Sequence, residues 1–459
     1  MALRNEVVMT EGNLLKKVFV VALPLMFTSL LQIFYNTADL IVCGLFGSEH
    51  SVAAISSTNS LVFLIVNLFI GLSIGANVVY ARCFGLKNQE KGNRVIQTSM
   101  FFSIVVGLVG AIIGFSFAKV FLGWMKSPDD VIDLSTLYIR IYFLGLPFTM
   151  IYNFGSALLR ATGDTRRPFY ILTSSGLVNV GLNLLLVIVF GLDVAGVAIA
   201  TITAQFISAT AIVICMLKNK GFLHLSFKHF RFYKQEALEI IYIGIPASIQ
   251  SVAFSLSNVV IQSSVNSLGT LTMDGNGAAA SLEGFIFVAM DAFSQASLVF
   301  ISANYAVKNF SYIKRVIIYS CTIVTILSVT LGSLFYLFDE QLIRLYVRTP
   351  EAIEAAKSRL SVFCFTYFTC AIMNILANAQ RGMGRSLEPS IVTVAGVVGF
   401  RFLWIFAFFP TDAFRSLFGI AISYPISWII TGLIHLVLVL VFFTKDKKKC
   451  EINNIAIEW

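Results

Sequence analysis

Charged side chains are scarce in this sequence: Asp, Glu, Lys and Arg supply only 12% of its 459 residues, roughly half the share found in a soluble chain. So few polar groups cannot cover a water-facing surface, which excludes an ordinary soluble domain. Metal-type cysteine spacing is also missing. Cys43, Cys83, Cys215, Cys321, Cys364, Cys370 and Cys450 form no CxxC pair, so neither a zinc site nor a disulfide framework is indicated. No cluster of His, Asp or Ser motifs gathers near one interface, as a membrane-embedded enzyme would need, and no long polar stretch suggests a receptor or scaffold domain. A cleavable leader is not expected either: the first apolar run, from near Val18, is too long and lacks a small-residue cleavage site.

What remains is apolar length. Hydrophobic residues make up 57% of the chain and mean hydropathy is +0.84, enough for many spans of about 20 residues each. Apolar runs bounded by charge or turn residues predict six spans at 17–43, 55–81, 95–122, 136–159, 169–190 and 194–217. Six more are predicted at 240–268, 278–306, 316–338, 358–380, 391–409 and 417–443. Runs of this length favour helices, since a barrel strand needs only about ten alternating residues.

Basic residues give the orientation. One set of alternate connections holds 24 of the 33 Lys and Arg residues, from Arg4, Lys16 and Lys17 at the start to Lys445–Lys449 at the end. The other set holds Lys126, Arg344, Arg348, Lys357, Arg359 and Arg415, while Lys119, Arg140 and Arg401 fall within or at the ends of spans. Positive loops stay cytoplasmic, so both termini are expected inside. The net charge of +9 is thereby assigned to membrane topology; no nucleic-acid partner is expected.

An internal repeat runs through the chain at a spacing of 221–223 residues. Ala22-Leu23-Pro24 and Asn36 match Gly244-Ile245-Pro246 and Asn258; Lys87-Asn88 matches Lys308-Asn309. Asn153, Arg160, Gly163 and Pro168 match Asn374, Arg381, Gly384 and Pro389, and Gly196-Val197-Ala198 matches Gly419-Ile420-Ala421. The expected organisation is an N-lobe (1–217), a basic linker (218–239) that includes Lys228, a C-lobe (240–444) and a cytoplasmic tail (445–459). This is an all-α integral membrane fold of twelve transmembrane helices in two parallel six-helix lobes with a central cleft. Such repeats place a substrate path between the halves, and the basic linker suits anionic membrane lipid.

Only three carboxylates fall inside the predicted spans: Asp39, Glu283 and Asp291. A charge at bilayer depth costs several kcal/mol unless it is neutralised, paired or hydrated, so these are the leading candidates for proton or cation coupling. Gln32, Asn36 and Asp39 share one face of the first helix by their spacing. Desolvation favours the protonated carboxyl there, and hydrogen bonds or a bound cation favour the ionised one, so proton and cationic cargo would compete. The bland alternative is that Asp39 caps the helix end. Glu283 and Asp291 share a broad face of the eighth helix; pairing with Arg140 or Arg401, or internal hydrogen bonding, is their structural alternative. Asn179 and Asn183 lie one turn apart on the fifth helix, and Asn258 and Gln262 on the seventh, where amides commonly join helices. Gln32, Asn258 and Gln262 are the candidate substrate contacts. His435, alone on the last helix, reads as structural. Pro24 and Pro246 recur in the leading helices of the two halves, in what reads as their first turns, and are the candidate hinges.

These residues carry a resemblance. Met9-Thr10-Glu11-Gly12-Asn13, the run from Ala22-Leu23-Pro24 to Asn36-Thr37-Ala38-Asp39, Gly71-Leu72-Ser73-Ile74-Gly75-Ala76, and Tyr152-Asn153 through Arg160-Ala161-Thr162-Gly163-Asp164 resemble the multidrug and toxic-compound extrusion (MATE) family, in its bacterial DNA-damage-inducible-F-like branch. The resemblance spans essentially the whole chain. It implies two six-helix lobes and export of hydrophobic and cationic compounds, driven by protons or sodium, with no other cofactor and a monomeric unit in the inner membrane. It also implies that Asp39 works in a polar network with Asn153 and Asn179. At Asn183 many relatives carry aspartate, so one N-lobe carboxylate is left here. A lipid-linked oligosaccharide flippase of the same superfamily is the alternative; it is expected to have a more cationic interior than Arg140 and Arg401 supply.

Overall fold

A computed structural model describes residues 6–48, 50–125, 131–226 and 230–452; Arg4, Lys126 and Lys228 lie outside the described residues. Helices take the form expected of a chain whose backbone groups must be satisfied without water. In order they are α1 (Leu14–Phe46), α2 (Ser51–Gly85), α3 (Gln89–Trp124), α4 (Ile132–Leu144), α5 (Leu146–Ala161), α6 (Arg166–Leu184) and α7 (Asp193–Lys218). After these come α8 (Lys234–Asn266), α9 (Thr270–Ala306), α10 (Phe310–Leu337), α11 (Asp339–Ile343), α12 (Pro350–Gly382), α13 (Leu387–Thr393), α14 (Phe400–Leu403) and α15 (Leu417–Ile452). Among the described residues, 11 helices are long and apolar enough to cross a membrane, and 12 if the bent pair α4 and α5 counts as one span. The protein is therefore a multi-pass membrane protein.

Several boundaries differ from the sequence expectation. The span predicted at 136–159 is two helices bent by 47°. Pro147 sits in the first turn of α5, and without an amide hydrogen it cannot continue the ladder through Gly145. The span predicted at 391–409 is wound more widely than an α-helix at Val394–Gly399 and Trp404–Phe408, and α6 runs into a similar π-helical turn at Leu185–Val189. Pro24 and Pro246 are not in first turns, because α1 starts at Leu14 and α8 at Lys234, which places both prolines well inside. The helix α8 takes up the end of the expected linker, and α15 continues through the lysines of the expected tail.

The chain forms two compact units, Met1–Val8 with Phe27–Ser248 and Met9–Met26 with Ile249–Trp459, so the division cuts α1 just past Pro24 and α8 just past Pro246. Each unit repeats the same local devices. Lys87 and Lys308 adopt left-handed backbone (φ 53° and 60°), and the asparagine after each caps the next helix. Asn88 Oδ1 accepts from Lys91 N and Asn309 Oδ1 accepts from Tyr312 N, both at 3.0 Å. Gly163 and Gly384, at φ 80° and 86°, end the corresponding helices in each unit, a conformation that glycine adopts without strain. The repeated residues are thus the ones that make repeated turns.

Asp164, next to Gly163, is 1% exposed. Burial pushes its carboxyl up to about 6, against the backbone hydrogen bond from Arg167 and the charge of that residue. Its proton is therefore held more tightly in the folded protein than in the unfolded chain, so its contribution to stability is full at low pH and is lost as pH rises through about 6. Asp164→Asn, uncharged throughout, should gain stability relative to the wild type between about pH 4 and pH 7, by up to about 3 kcal/mol. Thermal unfolding in detergent across that range checks this; a pH-independent difference would contradict it.

Candidate functional site

In the first unit α1 meets α6 through a glycine. A Cβ on Gly176 would sit 2.0 Å from the ring of Tyr35, so the missing side chain is the space the ring fills. Tyr35 OH then donates to Thr173 O at 3.1 Å. One turn further along α1, and two turns along α6, Asn183 Nδ2 donates to Asp39 Oδ1 at 2.5 Å. The same amide nitrogen lies 3.4 Å from Asn179 Oδ1, and Asn179 Nδ2 is 3.5 Å from Thr201 Oγ1 on α7. Asn179 and Asn183 are buried, while Asp39 is half-buried. Val42, Cys43, Val187, Val194 and Val197 pack as an apolar layer beside them. Among the described residues no Lys, Arg or His pairs with Asp39, and the buried Asn183 Oδ1 has no hydrogen-bond partner. The result is a carboxylate held by one neutral amide, with that amide's oxygen free beside it.

The other expected site residues are placed differently. Gln32 and Asn36 are exposed, so the α1 face that meets α6 is Tyr35–Asp39. Asn153 is half-buried on α5, and no hydrogen bond joins it to Asp39, Asn179 or Asn183 among the described contacts.

In the second unit Glu283 is not free. Arg359 Nε and Nη2 reach its two oxygens at 2.7 and 2.8 Å, both residues being buried. Neither Arg140 nor Arg401 is the partner. Arg359, expected in a loop, lies inside α12, and its Nη1 donates to Asn276 Oδ1 at 2.7 Å. The Asn276 amide approaches Gln262 Oε1 at 3.4 Å, and Gln262 donates to Asn266 at 2.8 Å. Gln262 thus carries this polar chain on to Asn266, and both Gln262 and Asn258 are exposed. Asp291 accepts from Gln295 at 2.6 Å and lines a recess with Phe287, Ser294, Cys370 and Asn374. His435 is buried between Gln380 and Thr393, at 2.9 and 3.0 Å. Arg381 and Arg401 are buried as well, so this unit holds three interior arginines, more than the sequence reading allowed.

A family model for MatE matches the chain twice, at residues 24–185 and 246–406. The chain belongs to the MatE family. The two matches start at Pro24 and Pro246, the spacing of the internal repeat, so each half of this MatE protein is one copy of the family unit. It is similar to a probable multidrug resistance protein of Bacillus subtilis (strain 168), YoeA, at 26% identity over 90% of each chain. It is also similar to the multidrug export protein MepA of Staphylococcus haemolyticus, at 24% identity over 84% of this chain and 85% of that one. Its fold matches a crystal structure of MATE in the bent conformation with TM-score 0.88 at 20% identity, over 96% of this chain and 98% of that one.

The Tyr35–Gly176 contact yields a testable consequence. Gly176→Ala should wedge α1 from α6 and destabilise the protein by about 1–3 kcal/mol, as overpacking does. Tyr35→Ala in the same chain should recover most of that loss, since the two act at one contact. Additive effects in the thermal unfolding of both single variants and the double variant would contradict the contact.

Proposed function

We propose that this MatE protein is a secondary active exporter of hydrophobic and cationic organic compounds, exchanging them for protons, with sodium as the alternative coupling ion. It acts as a transporter, not an enzyme, in the cell (inner) membrane as a monomer with cytoplasmic termini. The observation that carries this reading is the state of Asp39, a water-poor carboxylate in a membrane-crossing helix, bonded to the Asn183 amide and, among the described residues, paired with no cation. Such a group keeps either a proton or a positive cargo close, and releases one as it takes the other. The names of its relatives, which speak of multidrug resistance and export, support the direction and breadth of transport.

Glu283 is a poorer exchange site. A carboxylate already joined to Arg359 by two hydrogen bonds has its charge balanced, and parting a buried pair costs several kcal/mol. Asp39, Asn179 and Asn183 are therefore the proposed coupling group, and Glu283–Arg359 a structural tie. Asn183, in place of a second carboxylate, limits the centre to one titrating site. The flippase alternative draws support from Arg381 and Arg401, buried without a carboxylate partner among the described residues.

The test is transport in proteoliposomes with an imposed pH or sodium gradient, using tetraphenylphosphonium as cargo. A pH gradient should drive its movement in the wild type and in Glu283→Gln, while Asp39→Asn should fall to the rate of protein-free liposomes. Coupled transport by Asp39→Asn would overturn the assignment; a response to sodium alone would replace the proton.

A further inference from the structure

The second unit contains a buried cation that, among the described residues, no ion pair neutralises. Arg401, on α14, is 2% exposed and ranks among the largest fully buried side chains. Its guanidinium lies 4.0 Å from the centre of the Tyr424 ring, 5.7 Å from that of Phe254 and 5.9 Å from that of Trp428. Its Nε has no hydrogen-bond partner, and among the described residues no carboxylate pairs with it. Arg359 acts on it electrostatically, but that fork is spent on Glu283. Cation–π contacts stabilise a guanidinium, but by less than the cost of burying an unpaired charge. The aromatic wall therefore offsets only part of the desolvation.

Position and backbone make Arg401 more than a misplaced charge. Allowing for the repeat, it stands 222 residues after Asn179, so it takes in the second unit the place of the amide that lies one turn before Asn183, the partner of Asp39, in the first. The backbone is wound as π-helix on both sides of it, at Val394–Gly399 and Trp404–Phe408, a feature frequent where helices carry function. Cys370, in electrostatic range of Arg401, lines the recess with Asp291, Ser294 and Asn374.

We propose that Arg401 is an anion-receiving group: it takes the oxyanion of an amphipathic organic anion, whose aromatic or apolar body packs on Phe254, Tyr424 and Trp428. A guanidinium fork matches a carboxylate or phosphate in geometry, and the same ring faces that flank the fork suit an aryl body. The proposal rests on the export reading only for the fate of the bound molecule. Binding is measured without a gradient, so its failure is separable from a failure of coupling at Asp39.

The test is equilibrium dialysis of the full chain in neutral detergent with radiolabelled 1-naphthoate, beside neutral 1-naphthamide of the same shape. The wild type should bind naphthoate more tightly than naphthamide. Arg401→Gln should weaken naphthoate by about tenfold or more, the scale of a charge-assisted contact, and leave naphthamide unchanged; Arg401→Lys should fall between. Competition by phosphatidylglycerol, and not by phosphatidylcholine, would assign the oxyanion to a lipid headgroup; no competition by either would assign it to a free organic anion. Equal wild-type binding of the two probes, or naphthoate binding unaltered in Arg401→Gln, would overturn the proposal. Should Arg401→Gln not fold, the wild type decides: naphthoate must raise its Tm more than naphthamide does, and equal shifts would refute the site.

Discussion

The contact between Asp39 and Asn183 is the constraint on which the rest depends. It joins α1 to α6 at 2.5 Å inside a unit whose neighbouring layer is valine and cysteine. An amide can donate to a carboxylate, yet it cannot cancel the charge as an ion pair does, and the proposed exchange of proton for cation rests on that difference. Gly176 makes this contact possible by admitting the Tyr35 ring, and the hydrogen bond from Tyr35 to Thr173 fixes the rotation of α1 that aims Asp39 at α6. A packing feature thereby sets an electrostatic one.

The two copies of the family unit have diverged in charge while keeping their turns. Lys87-Asn88 and Lys308-Asn309 make the same cap, and Gly163 and Gly384 the same helix end. At the helix that carries Asn179 and Asn183 in the first unit, the second carries Arg401. The second unit also spends its buried carboxylate, Glu283, on Arg359. Local backbone chemistry was retained, since both halves need it to fold; the interior polar groups were free to differ.

Much of this was legible in the sequence. Apolar length and the alternation of basic loops gave the spans, and ordered matches gave the duplication. Asp39, Asn179 and Asn183 could be singled out because ionisable and amide groups are costly in lipid. What stayed hidden depends on partners distant in the chain. Arg359 looked like a loop residue because a charge ends an apolar run; it lies inside α12 because Glu283, on α9, neutralises it. Tyr35 carries no polarity signal that sets it apart from other aromatics, although its spacing of four from Asp39 puts both on one face. Gln32 and Asn36 share a face with Asp39 by their spacing, yet the packing of α1 leaves them exposed. The π-helical turns around Arg401 left no mark in hydropathy, because they alter winding without altering composition.

The most direct measurement is of protons released when cargo binds. Detergent-solubilised protein in weakly buffered solution, titrated with a lipophilic cation beside a pH indicator, should release protons in proportion to cation bound, and Asp39→Asn should release none. Equal release from the variant, or cation binding by the wild type with no change in pH at any starting pH, would contradict exchange at this carboxylate.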